Sequence, residues 1–145
     1  MSSKLGIFLY NNMKKRYIKY FVFVLAALIV LISQNCKDTI TSTDVDNIVM
    51  PDSGVSYNLH LRPVFEVKCV PCHNGNSSAG GVDLSSWTQV VRDPSIVFPG
   101  SDSTSILVWT IERIPPYPPM PPSEWLKRNH INGIRTWIRE GALNN

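Results

Sequence analysis

The longest apolar stretch runs unbroken from Phe21 to Ile32, behind the basic cluster Lys14, Lys15, Arg16 and Lys19. Twelve apolar residues suit the hydrophobic part of an export signal and fall short of the roughly 20 that a membrane-spanning helix needs. Met13 stands directly before the charges and makes a better start than Met1. Residues 1–35 are therefore expected to be a signal segment. From 36 to 56 the pattern turns polar, rich in Ser, Thr, Asp and Asn with Pro51 and Gly54, which predicts a flexible tether.

Short apolar periods return after Tyr57 and predict one all-α domain over residues 57–143, built from three to four short helices. The first runs from about Pro63 to Cys69, with Pro63 at a first helical position and Val64, Phe65 and Val67 as its apolar contacts. A minor turn follows Ser85, which caps Trp87 to Val91. A third helix covers about Ser103 to Arg113, capped by Asp102 or Ser103, with Ile106, Leu107, Thr110 and Ile111 on one face. The last spans about His130 to Glu140, with Asn129 as its cap. Ile131, Ile134, Trp137 and Ile138 follow helical spacing there, and Gly141 stops it. Phe65 is expected to pack against Trp137 or Ile134, and Trp87, Trp109 and Trp125 read as core or wall residues.

The chemistry is concentrated in Cys69-Val70-Pro71-Cys72-His73. Two thiols two residues apart, followed at once by a histidine, form the attachment pattern for c-type haem. Each thiol adds to one haem vinyl group, and the imidazole of His73 is then beside the iron. A Cys-x-x-Cys pair alone also fits half of a zinc site or a thioredoxin-like redox pair. The first needs a second ligand pair that does not follow, and the second needs a βαβ context that this Pro-rich sequence lacks.

Charge and cysteine count agree with export. The chain has fourteen Lys/Arg, eleven Asp/Glu and a net charge of +3. Five of the basic residues and none of the acidic ones precede Cys36, so from Cys36 onward nine against eleven leaves a net charge of −2. That balance gives no support for nucleic-acid binding, which would want clustered basic residues. Cys36 closes the apolar segment as the acylated Cys of a bacterial lipoprotein signal does, although Ser33 and Asn35 stand where that signal usually has Leu and a small residue. An ordinary cleaved signal and an uncleaved anchor are the alternatives. Two cysteines for haem and one for lipid account for all three, with no disulfide required.

Six prolines surround Met120 between Pro115 and Pro122. Such a run excludes a helix or an interior strand. It predicts a stiff loop that presents the Met120 thioether to the iron from the second side. His60 and His130 are the competing ligands, and an open site is the third alternative. Arg113 or an indole N–H is a candidate partner for a haem propionate.

With these landmarks in order, the sequence resembles the planctomycete-type cytochrome c domains, relatives of the class I cytochromes c. Pro63-Val64-Phe65 precedes the haem motif, and Gly80-Gly81-Val82-Asp83-Leu84 follows it. Next come Val97 to Gly100 with Ser103, Ser105, Ile106 and Leu107, then Met120-Pro121-Pro122, and last Trp137-Ile138 with Gly141-Ala142. Asn129 as the last helix cap and the Pro-Tyr insertion before Met120 depart from the usual pattern. The resemblance implies a small α-helical fold around one covalently bound haem c, with His73 and Met120 axial. It implies one-electron transfer between exported or membrane redox proteins in the periplasm or cell envelope, through a lipid-anchored domain. No catalytic residue is expected. A haem sensor or peroxidase-like enzyme with an open distal site is the alternative.

Overall fold

The computed structural model describes residues 16–21, 24–25 and 40–145, and the chain divides into two units, Met1–Thr39 and Ile40–Asn145. In the first unit the described residues are helical, with Tyr17, Ile18, Tyr20, Phe21, Val24 and Leu25 exposed. Most of the apolar run and Cys36 lie outside the described residues. Among those described, no helix is long and apolar enough to cross a membrane.

In the second unit, α1 spans Ser42–Asp46 and starts with a reciprocal cap. The Thr41 hydroxyl accepts from the Asp44 amide, and the Asp44 carboxylate accepts from the Thr41 amide. A π-helical turn, Tyr57–Leu61, leads directly into α2, Arg62–Lys68. Pro63 sits in the first turn of α2, directly after the π-helical turn, and its fixed φ suits that position. The two-residue strands β1, His73–Asn74, and β2, Ser77–Ser78, pair antiparallel. Then follow α3, Trp87–Val90, a 3₁₀ turn at Asp102–Thr104, α4, Ile106–Ile111, and α5, Arg128–Arg139.

α5 organises the core. Its buried side chains are His130, Ile131, Ile134, Thr136, Trp137 and Ile138, and Gly133 is buried with them. Trp137 meets Tyr57 with ring centroids 5.6 Å apart, and Tyr57 meets Phe65 at 6.1 Å. Tyr57 therefore mediates the expected packing of the first long helix on the last. The helix ends in a Schellman arrangement: the Gly141 amide donates to Ile138 and the Ala142 amide to Trp137. Gly141 takes φ +101 there, which only glycine adopts without strain. On the outer side, Asp102 accepts from Arg135 at 2.7 Å and Arg139 at 3.0 Å, and Glu112 pairs with Arg135 and Arg128.

Several expectations shift. Residues 40–56 were expected as a tether, yet Val45 and Val55 are fully buried and Ile48 and Met50 pack on the core. The Glu140 carboxylate accepts from the amides of Gly54 and Val55 at 2.7 and 3.0 Å, and the Asn145 carbonyl accepts from the Ser56 hydroxyl. Ser86, not Ser85, caps α3, its side chain accepting from the Gln89 amide, while the Ser85 amide donates to Asp83. The expected third helix begins only at Ile106. Asp102 is committed to the two arginines, and the Ser105 hydroxyl is committed to the Phe98 amide and the Ser101 carbonyl. Lys127 rather than Asn129 precedes α5, and the Asn129 amide group donates instead to the Ile48 carbonyl.

Candidate functional site

The backbone after α2 keeps turning helically. The amides of Cys72 and His73 both donate to the Cys69 carbonyl, at 3.1 and 2.9 Å. Cys69 and Cys72 stand three apart on this turn, the spacing that brings helical neighbours to one side. They are not joined as a disulfide. Cys72 is exposed, whereas burial pushes the Cys69 thiol up to about 12, with the Glu124 charge adding to it.

His73 is held by a backbone partner. Its Nδ1 lies 3.2 Å from the Val82 carbonyl. A carbonyl only accepts, so Nδ1 carries the proton and Nε2 keeps its lone pair free for a ligand role. The loop that delivers Val82 is built for the purpose. Gly80 and Gly81 take φ +64 and +77 in succession, and the Leu84 amide then donates back to the His73 carbonyl at 2.9 Å. Asn74 stiffens the start of the hairpin, accepting from the amides of Asn76 and Ser77 and donating to Val70 at 2.7 Å.

Met120 sits half-buried on a separate loop. Its amide donates to the Thr110 carbonyl on α4 at 3.0 Å. Arg113, at φ +60, reaches across the same loop. Its Nη2 donates to the carbonyls of Pro121 at 3.0 Å and Glu124 at 2.7 Å, and its guanidinium lies 4.1 Å from the Trp125 ring centroid. Trp109 meets Tyr117 at 5.3 Å. Arg113 thus staples the loop through Nη2, while its Nε has no hydrogen-bond partner. The indoles of Trp87 and Trp109 are spent on backbone carbonyls. Trp125, expected as a wall residue, is 68% exposed.

The two halves of the site meet through Lys68. This last residue of α2, directly before Cys69, is 5% exposed, and its Nζ lies 3.1 Å from Glu124 on the methionine loop and 3.4 Å from Asp46 on α1. Burial pushes the Lys68 ammonium toward losing its proton, and the two carboxylates more than offset this and hold it charged. Cys69, Cys72 and His73 therefore share one turn, and the Met120 loop is fastened to the residue before it. His60 is engaged elsewhere, its Nδ1 accepting from the Ser56 amide at 2.9 Å. His130 is fully buried.

A cleft of about 500 Å³ lies between Gly80–Asp83 and Arg92–Ile96, and its lining includes none of Cys69, Cys72, His73 or Met120. Among the described residues, no group of three or more His, Cys, Asp or Glu side chains converges as a metal-ion site. The Lys68 and Arg113 staples and the Val82 carbonyl were not foreseen from sequence. Only the Gly80-Gly81 pair, a turn signal, hinted at the last.

Residues 69–124 match the family model described as Planctomycete cytochrome C. No curated protein and no solved structure matches the chain.

Proposed function

We propose, from the match of residues 69–124 to the Planctomycete cytochrome C family model, whose family implies haem c, that the chain is an exported monohaem electron carrier, with His73 and Met120 as axial ligands. The observation that carries this reading is the His73 imidazole fixed through Nδ1 on the Val82 carbonyl within the matched segment. An imidazole held that way offers Nε2 in one tautomer and one orientation, which is what a proximal ligand requires. The free, unpaired Cys69 and Cys72 fit covalent attachment as well.

Haem c, when bound, supplies an iron that exchanges one electron between its ferrous and ferric forms. The chain's own residues do the rest. Cys69 and Cys72 would hold the group by thioether bonds, and His73 and Met120 would be its two iron ligands. The Thr110 carbonyl and Arg113 keep the Met120 loop in place. A weak thioether ligand benefits from such support, since less freedom is lost when it binds. With both axial positions held by the protein, small molecules have no open coordination site, so transfer rather than catalysis follows.

The anchor belongs to the same reading. Cys36 carries the lipid, the domain stands in the periplasm or cell envelope, and its partners are other exported or membrane redox proteins. Support comes from the basic cluster, the apolar run and Cys36 in succession.

The test is the optical spectrum of the full chain matured with haem. A low-spin spectrum with covalently retained haem, plus a sulfur-to-iron charge-transfer band that disappears in Met120→Ala, is the expected result. A high-spin spectrum that shifts with carbon monoxide would put the open-site sensor or peroxidase first, and absence of covalent haem would end the proposal. Mass spectrometry of the membrane fraction checks Cys36: the acyl mass is expected on wild type and absent from Cys36→Ser.

A further inference from the structure

Residues 42–50 cross the domain as a strap. Val45 is its one fully buried residue, and Ile48 and Met50 lie half-covered against the core. The Asn129 side chain donates to the Ile48 carbonyl at 3.0 Å, and Lys68 pairs with Asp46 and hydrogen-bonds the Ser42 hydroxyl. A helix of five residues does not persist alone, so this strap depends on the surface beneath it.

Beneath it lies His130, in the first turn of α5. Its ring is 0% exposed, and neither Nδ1 nor Nε2 has a hydrogen-bond partner. The strap itself contributes the polar groups that bear on the ring, the Val45 carbonyl and the Asp46 carboxylate. Lys68 faces it from α2, itself paired with Glu124, and Lys127 from the start of α5. A neutral imidazole is tolerable there. An imidazolium would be a buried cation near two ammonium groups and at the positive end of its own helix.

We propose that residues 42–50 are a pH-sensitive strap, latched over neutral His130 and released when that ring takes up a proton. The direction follows from the surroundings. Burial pushes the His130 imidazole below its ordinary value, Asp46 and the Val45 carbonyl oppose this, and Lys68 and Lys127 add to it. With the strap closed the ring resists protonation, and with the strap open water can solvate the charge. The closed state is therefore fully favoured above about pH 6.5, the ordinary histidine value, and loses its advantage as pH falls below it, by up to tenfold per unit. Where Cys36 carries a lipid, a reading on which this consequence alone rests, opening adds residues 42–50 to the span between anchor and domain. At roughly 3.5 Å per extended residue that lengthens the reach of the domain by up to about 30 Å.

Hydrogen–deuterium exchange on the haem-loaded full chain tests the strap without reference to the anchor. The Val45, Asn47 and Ile48 amides are hydrogen-bonded within the strap and report its opening. Between pH 7.5 and 5.5, after correction for intrinsic exchange, their protection should fall about tenfold while amides of residues 131–138 keep theirs. His130→Phe should remove the difference. Unchanged strap protection, parallel loss in residues 131–138, or the same pH dependence in His130→Phe would overturn the proposal. Should that variant fail to fold, an NMR titration of the wild-type imidazole decides: His130 must titrate together with strap opening, and titration beneath a protected strap refutes the latch.

Discussion

Replacing Gly133 by Ala adds one methyl group where Met50 rests on α5. A Cβ at that position would fall 2.8 Å from both Cγ and Sδ of Met50 and 3.1 Å from its Cβ. The backbone at Gly133 is ordinary helix, so Ala should gain about 1 kcal/mol of helix propensity. The contacts under 3 Å work against this, because they push the flexible thioether arm off the helix. Truncating a fully buried Met costs about 2–5 kcal/mol. Met50 is half-buried, so its displacement should cost about 1–2 kcal/mol by the same scale. Gly133→Ala is thus expected to destabilise wild type by up to about 1 kcal/mol, and to stabilise a Met50→Ala background by up to about the propensity gain. Only the milder 3.1 Å contact with Cβ survives in that background. Urea denaturation of the four proteins, haem-loaded and followed by far-ultraviolet circular dichroism, closes the cycle. The expected coupling is about 1–2 kcal/mol, and a value below about 0.5 kcal/mol, where distant sites usually fall, would show that residue 50 does not rest on α5.

Two further perturbations probe the frame around the site. Burial pushes the Asp102 carboxyl up, but the Arg135 hydrogen bond and the charges of Arg135 and Arg139 outweigh it and hold it below the usual carboxylate range. Its contribution to stability is therefore present above about pH 4 and is lost as pH falls through the folded value. Asp102→Asn should lower stability at pH 7 by about 1–3 kcal/mol and flatten the fall in stability below pH 4; an unchanged acid limb would contradict this. On the proposed His73/Met120 ligation, Arg113→Ala removes both carbonyl contacts to the methionine loop and should leave covalent haem intact while the sulfur-to-iron band fades at lower temperature than in wild type. Arg113→Lys should restore the band only in part, since one ammonium cannot reproduce the planar fork, and a band of wild-type thermal persistence in Arg113→Ala would show that the staple does not support Met120.

What could be read in advance divides by the range of the interaction. The segment that the family model matches was legible because it carries two thiols and an imidazole at fixed spacing, and α5 because Ile131, Ile134, Trp137 and Ile138 recur at the helical period. Both signals are local. The strap was misread as a tether because Val45, Ile48 and Met50 are isolated apolar residues in a polar stretch. Each gains its partner from a helix more than 80 positions away or from the core between, as the Asn129 bond to Ile48 illustrates. The partner of His73 was invisible for another reason. Val82 acts through its carbonyl, which every residue possesses, so side-chain identity carries no trace of the role. What made the contact possible is the left-handed turn at Gly80 and Gly81, and a glycine pair marks a turn without saying where it aims. Lys68 shows the first difficulty again, since its two carboxylates come from segments on opposite sides of it in sequence. The candidate chemistry of this domain thus rests on local signals, whereas the elements that aim it are long-range contacts made partly by backbone. Because every residue keeps that carbonyl, a substitution at Val82 should spare His73, and one that forces Gly80 or Gly81 out of the left-handed region should not.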